Sequence, residues 1–318
     1  MSIVAQGTPA AAKTQRGLAM ARFFELRGRR VVEACNALWY SVPNRFLMPL
    51  PYQQFLDPSP DAIDRLLIST GALGVRFCSN VWQGLPSGYY AFTGRSYDVQ
   101  TVHIKHRPRV RKGLESYRIR EVEESELLRQ GFVLNHETME RQGRSDPEFL
   151  DMRLWTRFVK AISRCPGIGA IGAFAGSRLA AVMITCREDG WLQILHQMSR
   201  REDLPNFPNH ALTYSVTKMA AEDATLEGVC YGLVPLIEAD GLHEYKLRFR
   251  YEVVPAACAF HLHPKANPWL NNALVWQGVR VARTLRPTEQ RLEMMETVLR
   301  GARLTSAAMA VTRRALAE

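Results

Sequence analysis

The side chains best suited to chemistry in this 318-residue chain gather between positions 190 and 251. On the strand-like run 191–199, alternation puts His196 on the apolar face and Gln193, Gln197 and Ser199 on the other. A histidine in that place is either a satisfied core residue or a neutral imidazole able to take a proton near pH 7. The three polar residues can line an acceptor pocket. Arg200 and Arg201 then lead to Pro208-Asn209-His210, the start of a long helix. Asn209 is a favoured N-cap, the first free N–H groups point at the loop, and both arginines can close on phosphate oxygens. The alternative is an ordinary capped surface helix with two solvated arginines. A second apolar strand carries Tyr231, and Glu238, Asp240 and His243 follow it. A carboxylate there can deprotonate an amine, directly or through water, although acids also favour exposed helix starts. Tyr245 and Lys246 sit on the next helix, where Lys246 can bind a phosphate or carboxylate or lie over an aromatic ring. No nucleophile or metal motif accompanies these groups, so the chemistry they suggest is transfer between two bound substrates.

These residues need a frame. Residues 117–263 read as strand 117–122, helices 124–142 and 146–163, strands 170–175, 179–186 and 191–199, helix 209–226, strand 229–235, helix 238–249 and strand 252–263. Hairpin-type turns at Gly176-Ser177 and Glu188-Asp189-Gly190 join the three central strands. Upstream, 17–39 reads as an amphipathic helix, Pro43, Pro49 and Pro51 break the chain, 61–70 is a helix ending at Gly71, and 74–79, 89–93 and 99–105 read as strands. Residues 268–318 read as helical. A three-strand meander followed by one strand-helix-strand crossover is not the alternating order of a dinucleotide-binding domain. Gly167-Ile-Gly169-Ala-Ile-Gly172 matches GxGxxG, but it follows a helix and runs into a strand, the reverse of the order that fingerprint needs. His261 and His263 share a strand face without Cys or carboxylate at ligand spacing, so no metal is expected.

The order of elements resembles the GNAT acyltransferase superfamily and, within it, the FemAB-like branch. The segment Gly241-Leu242-His-Glu-Tyr245-Lys246-Leu-Arg-Phe249-Arg250-Tyr251 is similar to that branch's Gly-Leu-x-x-Phe-Lys-x-x-Phe-Gly-Phe, with Arg250 in place of a glycine. The passage from Ser199 to Pro208-Asn209-His210-Ala-Leu212 resembles its strand-loop-helix, although 200–208 lacks the glycines of the usual pyrophosphate loop. The resemblance implies an α+β fold: a GNAT-like mixed sheet flanked by helices, with an N-terminal extension and a helical C-terminal tail. Segments are expected at 1–50 (helix and linker), 51–116 (an α/β extension, or a reduced first GNAT lobe), 117–264 (the GNAT-like domain) and 265–318 (the tail). It also implies an N-acyltransferase acting by direct attack of an amine on acyl-CoA. Arg200, Arg201, Asn209, His210 and Lys246 would hold that donor; Glu238 or His196 would act as base, and Tyr245 or Tyr231 as acid. Gln193, Gln197 and Ser199 would face a small-molecule or peptide acceptor, and backbone N–H groups of strand 191–199 would hold the oxyanion. FemAB-like enzymes use aminoacyl-tRNA instead, and a non-catalytic scaffold is a third outcome.

Composition sets the bounds. The net charge of +10 is localised: residues 103–120 hold seven Lys/Arg against one Glu. A polyanion such as tRNA or a set of solvated helix faces both account for this. Six scattered cysteines without a CxxC pair suit a reducing cytoplasm. Neither a secretory signal nor a membrane-spanning run is expected. The Ala- and Arg-rich tail suits feeble contact with a membrane surface, or packing on the domain or a second subunit.

Overall fold

A computed structural model describes residues 16–42, 45–237, 241–286 and 289–315. The first helix, α1 (Leu18–Leu26), is shorter than expected, because 31–42 fold as a hairpin of β1 (Val31–Ala34) and β2 (Ala37–Val42). Val31, Val32 and Trp39 favour strand, and Cys35 and Asn36 both take the left-handed backbone that a two-residue hairpin needs (φ 54° and 58°). β3 (Phe46–Leu50) leads to α2 (Pro60–Thr70), capped by the Ser59 side chain and closed by Gly71 at φ 66°. β4 (Gly74–Ser79) and β5 (Leu85–Phe92) follow. The strand expected at 99–105 is absent. The Asp98 carboxylate instead accepts the Thr101 N–H at 2.8 Å, a local turn that outcompetes extended pairing, and the basic segment becomes α3 (Arg107–Ser116).

β6 (Arg118–Glu121) precedes a helical stretch made of α4 (Glu124–Glu126), a π turn (Leu127–Gly131) and α5 (Phe132–Arg141). The helix expected at 146–163 is broken into α6 (Pro147–Leu150) and α7 (Met152–Ser163). Asp151 between them is extended, and its carboxylate caps α7 by accepting the Arg153 and Leu154 N–H groups. Three strands form the meander, β7 (Ile168–Ala175), β8 (Arg178–Glu188) and β9 (Trp191–Ser199), turning at Gly176 and at Asp189-Gly190, all with positive φ. Then come α8 (Pro208–Glu222), β10 (Gly228–Leu233), α9 (Leu242–Arg248), β11 (Glu252–Leu262), α10 (Asn267–Leu270), α11 (Ala273–Leu285) and α12 (Gln290–Ala315).

The strands form one mixed sheet in the order β1-β2-β3-β4-β11-β5-β10-β9-β8-β7-β6. Only the pairings of β3 with β4 and of β10 with β9 are parallel. The α+β expectation therefore holds. Alternation along β8 serves two cores: Val182 and Ile184 face α1, α5 and α7 around Trp155 and Phe158, while Ala181 and Met183 face α8 around Leu212 and Val216. No helix among the described residues is long and apolar enough to cross a membrane.

Candidate functional site

β9 and β10 pair over only three positions, ending at Cys230 opposite Gln193. Beyond that point β9 and β10 diverge, and β9 runs on to Ser199 paired only with β8. In the same stretch β9 carries a bulge: Thr185 of β8 faces Ile194 and Ile184 faces His196, which leaves Leu195 with no residue opposite. A bulge bends its strand and reverses the sequence of faces. That corrects one expectation. Gln197 and Ser199 face α8, opposite Met183 and Ala181, whereas Gln193 shares the face of His196, opposite Cys186 and Ile184.

On the α8 face the splay is closed by a chain of side chains. The Tyr231 hydroxyl donates to Gln197 Oε1. Gln197 Nε2 donates to Asn209 Oδ1 at 3.1 Å, and Asn209 Nδ2 to Ser199 Oγ at 3.0 Å. Tyr245 Oη donates to the Asn209 carbonyl at 3.0 Å and meets Thr213 Oγ1 at 2.9 Å. Burial pushes the Tyr231 hydroxyl up to about 12 and that of Tyr245 well above its ordinary value, so both stay protonated. Lys246 is buried, its Nζ donating to the Tyr231 carbonyl at 2.7 Å and lying 4.1 Å from the Tyr90 ring centroid. Burial lowers its pKa to about 8. His243 is held by Tyr90, Nδ1 to Oη, at 2.8 Å. Glu238 and Asp240 lie outside the described residues.

The other face is less complete. His196 stacks on Phe149 (centroids 4.2 Å apart, planes 4°) with Nε2 3.2 Å from Asn135 Oδ1. Burial, helped by Arg27 and Arg144, lowers its pKa to about 3, so the ring is neutral at pH 7 but a poor match for taking a proton there. Two buried amide nitrogens on this face, Gln193 Nε2 and Asn135 Nδ2, have no partner. Buried donors are rarely left so, and a ligand carbonyl would satisfy them. Asn135 was missed in the sequence; its signal was a polar residue on the apolar side of α5.

The start of α8 is unlike the expected phosphate seat. Its N-cap is Phe207, in the left-handed region, with Pro208 as the first helical residue. Asn209 is one position further in, and its side chain belongs to the splay. Asp203 in the loop is buried, accepting from Tyr117 Oη at 2.9 Å and from Arg178 at 2.9 Å. Arg201 pairs with Glu140 at 3.0 Å and its N–H with Glu137, while Arg200 lies 3.8 Å from Glu202. α3 packs on this mouth: a Cβ on Gly113 would come within 2.7 Å of the Phe207 carbonyl oxygen, and Lys112 Nζ donates to the Pro205 carbonyl at 3.1 Å. His210 is buried against His106 (centroids 4.7 Å), Tyr245 and Phe249. Burial lowers His210 to about 3 and His106 to about 4.

At the discounted histidine pair, His261 Nε2 meets Asp64 Oδ1 at 2.7 Å, and among the described residues no three His, Cys, Asp or Glu side chains converge.

No family profile matches the chain, and no curated protein matches it in sequence. Solved structures do. FemX superposes with a TM-score of 0.51 at 12% identity, over 76% of this chain and 90% of that one. The C-terminal domain (DUF2156) of a putative lysylphosphatidylglycerol synthetase from Agrobacterium fabrum gives 0.51 at 12%, over 75% and 85%. L-PGS from Bacillus licheniformis gives 0.51 at 14%, over 88% and 91%. Likeness at such low identity is a likeness of architecture: the chain has a GNAT-like fold of the FemAB-like kind.

Proposed function

We propose that the protein is a transferase that moves an acyl or aminoacyl group to an amine acceptor, with the reacting carbonyl in the β9/β10 splay. The observation that supports this best is the combination there of a strand bulge at Leu195 and two unsatisfied amide donors beside His196. Direct attack of the amine on the donor carbonyl would form a C–N bond and a tetrahedral oxyanion. Backbone N–H of the bulge would hold that charge, in a site that costs little reorganisation. The Asn135 and Gln193 amide N–H groups would hold the donor carbonyl oxygen, and His196 would fix the Asn135 amide through its Oδ1. The amine's proton would go to Glu238, just past β10, and Tyr231 would donate to the departing oxygen or sulfur as the C–O or C–S bond breaks.

Between the two donors, the occupied start of α8 favours aminoacyl-tRNA, the donor used by FemAB-like enzymes. A coenzyme A pyrophosphate would need the N–H groups that α3 covers, and arginines that already serve Glu137, Glu140 and Glu202. Arg109 and Lys112 on α3 are exposed and lie over the Phe207 ring at the same mouth, where they suit a phosphate backbone. Acyl-CoA is the second reading, favoured by the GNAT-like fold itself.

Native mass spectrometry with acetyl-CoA, longer acyl-CoAs and bulk aminoacyl-tRNA, followed by a search for acylated amine products, separates these. The proposal expects a tRNA complex and an aminoacylated amine. An acyl-CoA complex with product would establish the second reading. Binding of neither donor would leave a non-catalytic scaffold and overturn both.

A further inference from the structure

The outer face of α7 carries a feature that transfer in the splay does not use. Arg153, Arg157, Lys160 and Arg164 recur at i, i+4, i+7 and i+11, which aligns them in one stripe along the helix and just past its end. All four are exposed, and none has a carboxylate partner among the described residues. They line a groove of about 270 Å³ together with Leu26 of α1 and Thr156. Several other surface cations are matched, Arg22 with Glu25, Arg120 with Glu126, Arg187 with Asp223 and Arg201 with Glu140, whereas this stripe sets four unmatched ones in a row.

The stripe works against the helix that bears it. Like charges at i+3 and i+4 repel, and Arg153 places a cation in the first turn, where the macrodipole is already positive. No core contact compensates, because the buried side of α7 is Trp155, Phe158, Val159 and Ile162. A bound anion would offset both costs.

We propose that this groove binds a linear polyphosphate chain, either free or as the phosphate tail of a nucleotide. Eleven residues at 1.5 Å rise span roughly 16 Å, too long for one phosphate and suited to several in a row. Arginine forks match phosphate oxygens in pairs. A bilayer is a poorer occupant, since the stripe exposes no aromatic or large aliphatic residue that would enter lipid. Single-stranded nucleic acid is poorer too, for want of a ring on which bases could stack. The groove lies on the outer surface of α7, whose buried side (Trp155, Phe158, Val159 and Ile162) stands between it and the sheet, and it shares no lining residue with the splay.

Isothermal titration of the full chain with sodium tripolyphosphate, with ATP and with bulk tRNA tests the proposal. Saturable 1:1 binding of tripolyphosphate is expected, weakening as salt rises. The Arg157→Glu/Lys160→Glu double variant should weaken it at least 30-fold, and the milder Arg157→Gln/Lys160→Gln about 10-fold. Arg291→Glu/Arg300→Glu, which changes the net charge equally at another exposed place, should leave it within 3-fold. ATP binding as tightly as tripolyphosphate identifies a nucleotide tail as the source, and tripolyphosphate binding alone identifies a free chain. Absence of binding, or equal loss in the Arg291/Arg300 control, overturns the proposal. So does tRNA binding that depends on α7 while tripolyphosphate does not bind, since the groove would then belong to the donor.

Discussion

Two places in this molecule looked ready for a ligand, the start of α8 and the splay between β9 and β10, and they folded to opposite ends. At the helix start the charged groups are used internally, Asp203 by Arg178 and Tyr117 and Arg201 by two glutamates, and although His106 Nδ1 and His210 Nε2 are buried without partners, the mouth above them is covered by α3. In the splay the α8 face is likewise knitted shut, but the His196 face keeps Gln193 Nε2 and Asn135 Nδ2 without partners. The difference shows that a charged, helix-start motif marks possible electrostatics, whereas vacancy is decided by what else packs there.

The largest effect expected on this comparison concerns pH. His196 in the splay and His106 and His210 at the helix start are all buried with lowered pKa values. Between about pH 6.5 and 4.5 the unfolded chain takes up protons on these residues and the folded chain does not. Stability therefore falls as pH falls, by up to about 1.4 kcal/mol per pH unit for each histidine. Glu126 and Asp223 have lowered values and hardly titrate in this window, and Glu188, raised by burial, acts in the opposite direction. Denaturant midpoints across that range should drop steeply in the wild type and less steeply in His210→Phe. Equal slopes would place the histidines in wetter surroundings than described.

A somewhat smaller effect tests the helix-start loop. Arg178→Met strips the buried Asp203 carboxylate of its guanidinium partner and should cost about 3 kcal/mol by chemical denaturation. A loss below about 1 kcal/mol would mean the loop is open to water and free to receive a ligand. Smaller again, Gly113→Ala pushes a methyl group toward the Phe207 carbonyl and should cost about 1–2 kcal/mol. If it instead strengthens acyl-CoA binding, α3 is a removable cover over a working phosphate seat.

Much of this frame was legible in the sequence because it is written in periods of 2 and 3.6. The meander, the crossover helix α8 and β11 all stand where alternation and turn glycines put them. The misses have local causes. Spacing on one face made 17–39 look helical, but Val31-Val32 and the Cys35-Asn36 turn specify a hairpin. The Asp98–Thr101 turn removed a strand that composition favoured. At the site, strict alternation grouped Gln193 with Gln197, and a one-residue bulge, which no side-chain pattern announces, separated them. The capping role of Asn209 failed because Pro208 fixes the first helical position and Phe207 takes the cap. The α7 cations stand opposite an apolar stripe, where spacing alone cannot tell a binding row from an ordinary solvated helix face.

The central claim is that transfer takes place in the splay and does not depend on the arginines at the start of α8. Single-turnover rates for the donor that forms product should therefore be compared in Asn135→Ala, His196→Ala and Arg201→Ala. The account predicts a fall of at least 100-fold, about 2.7 kcal/mol of barrier, in each of the first two. It predicts less than a 3-fold change in Arg201→Ala. Full activity in the splay variants, with loss confined to Arg201→Ala, would contradict it.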